Sequence, residues 1–487
     1  MRMPVVRDVP AYPVPDYGLR VLRTLEAAGF EAWVVGGWVR DALLGAPMHD
    51  VDVTTSATWR EAERVLTAAG IEVHETGIAH GTVTAVVDGQ PVEVTTYRVE
   101  GTYSDCRHPD EVRFVRDVRE DLARRDFTVN AMAYHPERGL LDLFGGREDL
   151  AFGVIRAVGD PYRRFEEDAL RVLRAVRFAC RLGFDVEPRT QAALVACAPE
   201  LDSIARERVG QEMNGIVASG RVSWALRNEF DVVARAVPAL IPMRGMDQRS
   251  PYHAYDLLEH TARVCAGVEA FAGGVPTQAL RWAALLHDAG KPVCASVDEN
   301  GRGHFRNHQR AGSVICRDTI LGLALPHEVA GRAATLVKYH DRHLSATPAG
   351  VRRLLRRLDQ GRPGEAPALA YQLLDLQRGD AVAKTRACAQ RAVELDSFER
   401  ALSAELSRGT AYRVRDLAFG GGDVMRALGI APGPEVGEAL SALLDDVVHG
   451  RVENNREELL ARIREKDLGC QDGARPGFEQ VAKKSLN

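Results

Sequence analysis

The sequence has no apolar run long enough to span a bilayer, so it predicts no membrane-spanning helix. Its first residues, MRMPVVRDVPAYPVPDYG, lack the apolar core of a secretory signal peptide. The eight cysteines are scattered and form no C-x-x-C pair, so we expect free thiols in a reducing cytoplasm. The net charge of −5 shows no overall positive surplus, so any nucleic-acid partner must be held by local basic patches.

Helical and strand patterns are mixed over residues 20–150. The stretch YGLRVLRTLEAAGF has the apolar spacing of an amphipathic helix, and EAWVVGG indicates a strand that runs into glycines. Two β-rich runs flank Asp88-Gly89, which is a strong short hairpin signal. From about residue 150 the pattern becomes helical and stays so. We therefore predict an α/β head with a small mixed sheet, followed by a long all-helical body.

The 487 residues are too many for one ordinary core, so we expect several domains. Candidate boundaries are breaks bearing Pro or Gly, near 185–190, 241–253, 361–366 and 420–434. Regular structure should end near residue 466, where periodicity is lost. The predicted segments are an N-terminal extension at 1–19, the head at 20–150, a helical neck at 151–240, a second helical domain at 241–400 and a helical tail at 401–487.

Two carboxylates stand one residue apart in a valine-rich stretch. Because side chains alternate across a strand, Asp50 and Asp52 should share one face, while Val51 and Val53 point into the core. Two carboxylates on one face repel each other unless a cation lies between them. Their hard oxygen ligands suit Mg²⁺. The arrangement is typical of two-metal nucleotidyl transfer, with Glu93 of the second hairpin strand as the natural third ligand. Taken alone, Asp-x-Asp favours the solvent face of an edge strand.

A nearby glycine pair favours the metal-binding interpretation over the solvent-facing edge strand. Gly36 and Gly37 follow the strand-like AWVV and precede WVRDALLG, which has a helical pattern. Backbone amides at a helix N-terminus bind phosphate, and glycine permits the close approach. Arg40, in the first turn, can add its guanidinium fork to the same triphosphate. With Asp50 and Asp52, these residues indicate a nucleoside triphosphate site.

The same residues carry a resemblance to a known family. The stretch VVGGWVRDALLGAPMHDVDVTTSA resembles the head of class II tRNA nucleotidyltransferases, the family of CCA-adding enzymes and bacterial poly(A) polymerases. The similarity continues collinearly through EDLARRDFTVNAMAY and EEDALRVLRAVRFACRLGF, over residues 20–215. It implies that Asp50 and Asp52 bind Mg²⁺ and that Gly37 and Arg40 contact the nucleotide.

The resemblance also implies nucleotide contacts in RRDFTVN. Arg125, with Arg124 beside it, would contact the triphosphate, and Asp126 and Asn130 belong to the same candidate binding set. Without the resemblance, RRD would be only the charged start of a helix.

Residues recurring every three positions suggest how the base is read. Asp168, Arg171, Arg174 and Arg177 would share one helix face. A carboxylate accepts a hydrogen bond and a guanidinium only donates, so Asp168 with Arg171 complements the amino donor and ring-nitrogen acceptor of cytosine and adenine. Uracil and guanine present the opposite pattern. The family assigns this motif that role, whereas spacing alone fits an i,i+3 salt-bridge ladder equally well.

The stretch VEGTYSDCRHPDEVRF, residues 99–114, has no clean period. It resembles the flexible loop that CCA-adding relatives use when switching from C to A, and relatives that add only CC lack it. Its presence favours terminal A addition and leaves an A-only enzyme open.

A second set of residues resembles the HD superfamily of metal-dependent phosphohydrolases. The dyad His287-Asp288 follows LRWAALL, with His260 upstream and Asp380 downstream. Four such residues can converge on one divalent transition metal within a helical bundle. The remaining histidines fall into two groups: His308 and His340 are possible further ligands or substrate contacts, and His304 and His343 are expected at the surface. Active hydrolysis and a purely structural module that supports tRNA binding are equally compatible.

The sequence thus predicts a cytoplasmic, Mg²⁺-dependent enzyme that adds C, C and A to the tRNA 3′ end from CTP and ATP. The alternatives are a poly(A) polymerase or A-only enzyme and, less favoured, an HD phosphohydrolase whose head senses nucleotide. Basic helices at 161–181 and 351–364 could neutralise an RNA backbone, although their arginines could equally pair with neighbouring Glu and Asp. The oligomeric state is left open.

Overall fold

The computed structural model describes residues 13–48, 50–100, 112–385 and 389–471. Most of the loop predicted at 99–114 therefore lies outside the described residues. The chain divides into two compact units, Met1–Met246 with Arg317–Ala330, and Asp247–Cys316 with Gly331–Asn487. Within the described ranges, no helix has the length and apolar character needed to cross a membrane.

A seven-stranded mixed sheet forms the head, in the order β3-β4-β5-β2-β1-β8-β9. Strands β2 and β5 are parallel and the other neighbours are antiparallel. Strands β6 and β7 form a separate antiparallel pair. The strands are β1 Ala32–Val35, β2 Val51–Thr55, β3 Glu72–Gly77, β4 Thr82–Val87, β5 Gln90–Thr96, β6 Arg98–Glu100, β7 Val112–Phe114, β8 Met132–His135 and β9 Gly139–Asp142.

Local sequence accounts for several elements of the head. The turn between β4 and β5 has φ of 54° at Asp88 and 76° at Gly89, which confirms the predicted hairpin. The predicted amphipathic helix is also present and buries its apolar face. A capping box between Thr58 and Glu61 starts α3. The helices of the head are α1 Asp16–Ala27, α2 Gly37–Leu44, α3 Trp59–Ala68, α4 Val118–Ala123 and α5 Gly146–Phe152.

A helical segment follows the sheet in the first unit. Its long helix ends at Leu182, and the next residue, Gly183, has a φ of 77°, which suits the left-handed C-cap that glycine favours. Two short strands, β10 Val154–Ile155 and β11 Asp185–Val186, pair in parallel here, so the prediction of purely helical structure after residue 150 was wrong in detail. The helices are α6 Pro161–Glu167, α7 Leu170–Leu182, α8 Pro188–Cys197, α9 Arg206–Ala218, α10 Val222–Asn228 and α11 Phe230–Ala236.

The second unit is mostly helical, with one short antiparallel pair, β12 Ser296–Val297 and β13 Gly303–His304. The last helix reaches Gln471, five residues beyond the predicted end of regular structure at 466, and the rest of the chain lies outside the described residues. The helices that follow α11 are α12 Leu257–Phe271, α13 Gln278–Leu286, α14 Lys291–Cys294, α15 His308–Gly322, α16 His327–Tyr339, α17 Pro348–Leu358, α18 Glu365–Val382, α19 Ala389–Ser407, α20 Gly421–Leu428, α21 Pro434–Val448 and α22 Arg456–Gln471. Helices α15 and α16 run across the division between the units.

A pair of glycines sets the approach of α12 to α18. A Cβ built on Gly267 would lie 2.8 Å from the Cα of Gly379, so neither position tolerates a side chain without movement. Gly267 lies two turns beyond His260 on α12, and Gly379 directly precedes Asp380 on α18. This contact brings the two helices close enough for His260 and Asp380 to meet.

Candidate active site and metal centre

The acidic pair lies at the centre of the head sheet. Strand β2 is the fourth of seven strands, so the alternative of a solvent-facing edge strand is wrong. Asp50 directly precedes β2, and Asp52 lies within it, opposite Glu93 of β5. Val51 and Val53 are each 1% exposed, which confirms the predicted alternation. Three carboxylates therefore meet on the face away from the core.

The pKa of Asp52 is raised to about 6, first because the side chain is buried and then because Glu93 and Asp50 repel its negative charge. Arg125 opposes these effects and lowers the same pKa. Asp52 thus lies within reach of both carboxylates and of one guanidinium. The oxygen donors are those that Mg²⁺ prefers, and a cation among them would remove the repulsion.

Glycine is required where the chain passes this cluster. Gly36 has φ of 71° and ψ of −131°, a conformation that side-chain-bearing residues avoid. A Cβ there would also lie 3.2 Å from Nη1 of Arg125 and 4.0 Å from Oδ2 of Asp52. Helix α2 begins at the next residue, Gly37, one residue before the helical stretch that the sequence predicted. The glycines, Asp52 and Arg125 are therefore brought together.

Arg40 has internal partners in this structure, and its predicted contact with triphosphate stays a prediction. Its side chain is buried, with Nε and Nη2 donating to the two carboxylate oxygens of Asp41 at 2.7 and 2.9 Å. Nη1 donates to Oδ1 of Asn130 at 2.6 Å. Because these bonds hold the guanidinium inside the protein, Arg40 orients Asn130 and the start of α2.

These bonds continue into the helical segment. Asn130 donates to Oδ1 of Asp126 at 3.1 Å, and Arg174 donates to Oδ2 through Nε and Nη2, at 3.0 and 2.7 Å. Arg174 and Arg177 then meet Glu212 of α9, at 3.7 and 2.5 Å. Burial raises the pKa of Asp126, but Arg174 outweighs it and holds the value near 2. Head and α7 are thus joined by buried charges.

Sequence reasoning missed several members of this network. Glu212 lies 35 residues beyond Arg177, and no local pattern indicated that the two would pair. Asp121 was also missed; it is fully buried and accepts from Arg124 at 2.7 and 3.0 Å and from Arg125 at 3.4 Å. The carboxylate thus orients the two arginines that were predicted to contact triphosphate.

Replacing Asp126 by Asn should destabilise the first unit by about 1–3 kcal/mol, because the buried charge-assisted bonds to Arg174 are lost. The deficit at pH 7 should shrink as the pH falls from about 4 towards 2, where wild-type Asp126 takes up a proton in the folded state. Thermal unfolding followed across this pH range measures both effects. Asp202→Asn, which alters the exposed pair with Arg235, is the control and should change stability little. Equal unfolding temperatures for both variants would contradict the structural role of Asp126.

The predicted base-reading residues do not lie on one regular helix. Asp168 has extended backbone between α6 and α7, and its carboxylate accepts from the backbone of Leu170 and from Arg208. Arg171 lies on α7 and donates to Glu167 at 2.6 Å. The carboxylate of Asp168 therefore meets Arg208 rather than Arg171, which also contradicts the salt-bridge ladder considered as the alternative.

Arg171 also connects the helical segment to the head by a hydrogen bond. Its Nη2 donates to the backbone carbonyl of Arg124 at 3.2 Å, and Arg164 donates to the same oxygen at 3.0 Å. The carbonyl group belongs to the segment that supplies Arg125. Arg171 and Arg164 thus contact the backbone directly before Arg125.

In the second unit, the HD-type residues lie around the buried carboxylate of Asp288. Nε2 of His260 lies 3.2 Å from Oδ1 of Asp380 and 3.4 Å from Nε2 of His287. Oδ2 of Asp288 lies 3.5 Å from Nε2 of His260 and 3.1 Å from Nε2 of His287. The four residues predicted from sequence therefore converge, although they come from two helices, α12 and α18, and the turn after α13.

Two further histidines face Oδ1, the other carboxylate oxygen of Asp288. Nε2 of His308 and Nε2 of His340 each lie 3.5 Å from Oδ1 of Asp288. The ligand atoms form two compact groups, each within 4.8 Å: His260 with His287 and Asp380, and Asp288 with His308 and His340. All are buried. The sequence named His308 and His340 only as possible additions.

Hydrogen bonds hold the imidazoles in one tautomer. Nδ1 of His287 lies 2.9 Å from the carbonyl oxygen of Ala284, and Nδ1 of His340 lies 2.7 Å from that of Val337. His308 makes the same contact with Phe305 at 2.8 Å. A carbonyl can only accept, so Nδ1 carries the proton and Nε2 keeps its lone pair towards the cluster. Burial additionally lowers the pKa of His287 and favours its neutral form.

Cationic side chains flank the cluster. Nζ of Lys291 lies 2.7 Å from Oδ2 of Asp288, and Nζ of Lys384 lies 2.5 Å from Oδ2 of Asp380. A cavity of about 350 Å³ opens against these residues and is also lined by His304. His304 bonds to Asp298 and His343 is exposed, so neither belongs to the cluster. The arrangement suits an anionic ligand held beside buried imidazoles.

The basic stretch at 351–364 is partly neutralised. Arg352 pairs with Glu405 at 2.9 Å, and Arg356 pairs with Asp445 at 3.0 Å. Burial and the neighbouring Arg342 and Arg353 lower the pKa of Arg357. Pairing with carboxylates therefore accounts for Arg352 and Arg356. The cationic surroundings of Arg357 fit the other interpretation, in which the helix neutralises an RNA backbone.

Four family profiles match the chain in order. They are the Poly A polymerase head domain at residues 32–156, the probable RNA and SrmB-binding site of polymerase A at 183–228, the HD domain at 257–377 and a putative tRNA nucleotidyltransferase domain 2 at 384–463. Together with the carboxylate cluster, they define a nucleotidyltransferase that carries an HD domain.

Comparison with individual relatives shows which kind of nucleotidyltransferase the chain is similar to. The chain is 33% identical to the CCA-adding enzyme of Lacticaseibacillus paracasei over 92% of its own length and 96% of that protein. A 206-residue stretch is 50% identical to the CCA-adding enzyme of Leuconostoc mesenteroides, covering 42% of this chain and 50% of that protein. The chain therefore belongs to the family of CCA-adding enzymes.

Solved structures agree with this assignment. The crystal structure of the Bacillus stearothermophilus CCA-adding enzyme in complex with CTP has a TM-score of 0.65 and 30% identity, covering 94% of this chain and 98% of that one. The Thermotoga maritima CCA-adding enzyme complexed with tRNA shares the fold, with a TM-score of 0.58, 19% identity and coverage of 96% of this chain and 100% of that one.

Proposed function

We propose that the chain adds C, C and A to the 3′ end of tRNA, using CTP and ATP, in the cytoplasm. The observation that carries this proposal is the meeting of three carboxylates with a guanidinium beside a glycine turn. The 3′-hydroxyl of the RNA attacks the α-phosphate of the nucleotide, and pyrophosphate leaves. Mg²⁺ held by Asp50 and Asp52, with Glu93 beside them, would supply positive charge at the reacting phosphate.

The chain's own residues position the nucleotide around this cluster. Gly36 and Gly37 let the backbone come close to phosphate, and Arg125 places a guanidinium on the same side as Asp52. Asp121 and Asn130 hold that arginine from behind, at 3.4 and 3.5 Å. The donors are thus fixed before substrate arrives.

The base is proposed to be read by Asp168 and Arg171, as the family resemblance implies. Arg174 and Arg177, fixed by Asp126 and Glu212, would support the same pocket from α7. Reading a base requires these side chains to exchange internal partners for the nucleotide: Asp168 would leave Arg208, and Arg171 would leave Glu167.

An end-labelled tRNA lacking CCA distinguishes the possible polymerase activities. With Mg²⁺ and both CTP and ATP, ordered addition of C, C and A is expected. A long tail from ATP alone would indicate a poly(A) polymerase. Addition of A only to tRNA that already ends in CC would indicate an A-only enzyme, and no elongation of any substrate would contradict the proposal.

A second function is proposed for the HD domain, namely metal-dependent hydrolysis of a phosphate ester. Two buried atoms that face the cluster, Oδ1 of Asp288 and Nε2 of His308, make no hydrogen bond within the described residues. Neutral imidazoles and carboxylates are donors suited to a divalent transition metal, so the set fits such an ion. When bound, this ion would activate water for attack on phosphorus.

Removing His287 should separate the two functions. His287→Ala should reduce hydrolysis of a phosphomonoester or a 2′,3′-cyclic nucleotide, assayed with Mn²⁺, Co²⁺ or Ni²⁺, to background. Addition of CCA should persist, because the acidic cluster lies in the other unit. His327→Ala, which alters an exposed histidine at the start of α16 that does not line the cavity, is the control and should hydrolyse normally. A wild-type protein without hydrolysis under any of these ions would refute the second function.

A further inference from the structure

We propose that Arg208 is an adenine-specific residue, which donates a hydrogen bond to N7 of ATP beside the amino group that Asp168 accepts. The inference rests on the proposed function, in which Asp168 reads the amino group of the base and Arg171 reads its ring nitrogen. It adds a residue from α9 that was not among those predicted from sequence.

Arg208 contacts the carboxylate that is proposed to read the base. Its Nη2 donates to Oδ2 of Asp168 at 3.4 Å, whereas the guanidinium of Arg171 donates to Glu167 at 2.6 Å. The two arginines come from different helices, α9 and α7. Asp168 therefore has a second guanidinium beside it, in addition to the one that is assigned to the ring nitrogen.

The guanidinium of Arg208 also has an unused donor. Its Nη1 is buried and makes no hydrogen bond within the described residues. Buried polar atoms normally have a partner, and a guanidinium only donates, so the expected partner is an acceptor. When the base takes the carboxylate of Asp168, Nη2 also loses its acceptor. Both nitrogens then require an acceptor that the nucleotide can supply.

Close packing of α9 against α7 fixes the position of Arg208. Glu212, one turn further along α9, pairs with Arg177 of α7 at 2.5 Å. A Cβ on Gly215 would clash with the side chain of Arg177, so the two helices approach each other closely there. The backbone of Arg208 therefore has little freedom, and its side chain is held near Asp168.

Adenine and cytosine differ in the atoms that flank their amino groups. In adenine the amino group lies between two acceptors, N1 and N7, whereas in cytosine it lies between the acceptor N3 and the apolar C5–H. With the amino group at Asp168 and N1 or N3 at Arg171, a donor on the remaining flank meets N7 of adenine and no acceptor of cytosine. Arg208 supplies this donor.

The same arrangement still excludes guanine. Guanine also has an acceptor at N7, but its O6 takes the place of the amino group. Because O6 and the carboxylate of Asp168 are both acceptors, they repel each other. Arg208 thus distinguishes the two accepted bases, and Asp168 rejects the others.

An ATP analogue with carbon in place of N7 tests the contact on the unaltered protein. The substrates are end-labelled tRNA that ends in CC, Mg²⁺ and either ATP or 7-deaza-ATP. For the wild type, kcat/KM should be roughly tenfold lower with 7-deaza-ATP, because the analogue leaves a charged donor unpaired. Equal use of ATP and 7-deaza-ATP would overturn the inference, and this result does not depend on the folding of any variant.

Arg208→Gln tests the same contact from the side of the protein. The variant should use ATP with a kcat/KM roughly tenfold below that of the wild type. It should use ATP and 7-deaza-ATP equally, because two changes that remove one contact do not add. Its kcat/KM for CTP, measured with tRNA lacking CCA, should not fall.

Arg235→Gln, which alters the exposed pair with Asp202, is the control and should match the wild type in all three measurements. If Arg208 only held Asp168 in place, Arg208→Gln would impair the use of CTP and ATP alike. That result would overturn the inference, as would a variant that still prefers ATP to 7-deaza-ATP as strongly as the wild type does.

The wild-type reactions separate this inference from the proposed function. Addition of neither C nor A would refute the proposed function and the inference together. Normal addition of C and A with equal use of ATP and 7-deaza-ATP would leave the proposed function standing and refute the role of Arg208 alone.

Discussion

Replacing Asp50 and Asp52 together by Asn should reduce the addition of both C and A by about a thousandfold or more. The carboxylates meet Glu93 on one face of the central strand, and loss of the cation that they bind would remove several kcal/mol of transition-state stabilisation. Binding of tRNA should remain nearly intact, because we expect it to rest mainly on the helical body. Incorporation from CTP and ATP and the Kd for tRNA measure the two effects.

Asp88→Asn is the matched control, because it makes the same substitution in the same sheet. Asp88 lies in the hairpin turn with φ of 54°, a conformation that Asn also adopts. Activity should be unchanged. CTP incorporation by the Asp50/Asp52 double variant well above about a thousandth of the wild-type rate would contradict the two-metal assignment. Equal losses in tRNA binding and incorporation would indicate a folding defect.

Substitutions at Asp168 and Arg171 should change which nucleotide is chosen more than whether reaction occurs. In the proposed mode of base reading, Arg171→Ala would remove the donor to the ring nitrogen and the clash with the N–H of uracil and guanine. Losing such a contact costs about 1–3 kcal/mol, so discrimination should fall roughly ten- to a hundredfold. Asp168→Ala should act similarly through the amino group. Relative kcat/KM for CTP, ATP, UTP and GTP measures the change.

Arg163→Ala is the control for this series, because Arg163 is exposed on the preceding helix α6. The preference of this variant should match that of the wild type. The internal contacts of Arg171 with Glu167 and the carbonyl of Arg124 support another interpretation, in which the residue only holds head and helix together. That interpretation requires a uniform loss with all four nucleotides, and an unchanged preference in both variants would refute base reading.

Several elements could be predicted because their signals are local. The hairpin at Asp88-Gly89 follows from residues that adopt positive φ, and the helix Asp16–Ala27 follows from its apolar spacing. The shared face of Asp50 and Asp52 follows from strand alternation. In each case the cause lies within a few residues along the chain.

Other features depended on partners distant in sequence. Arg40 was predicted to contact triphosphate, and the structure adds a partner that the sequence did not indicate, Asn130, 90 residues away. Asp168 was placed on a helix face, but the chain is extended there and its carboxylate meets Arg208. Residue type tells that a guanidinium donates hydrogen bonds. Which acceptor it contacts depends on how distant parts of the chain pack together.

The sequence by itself determined the family, the mixed-sheet head and the identity of the chemical groups, because collinear motifs and short-range periodicity are written along the chain. Only the tertiary structure decided that β2 is a central strand and that both oxygens of Asp288 are surrounded by histidines. The ligands of the HD domain are separated by up to 120 positions, from His260 to Asp380, and meet through the close contact of Gly267 with Gly379. Such convergence depends on how helices pack, which no local pattern specifies.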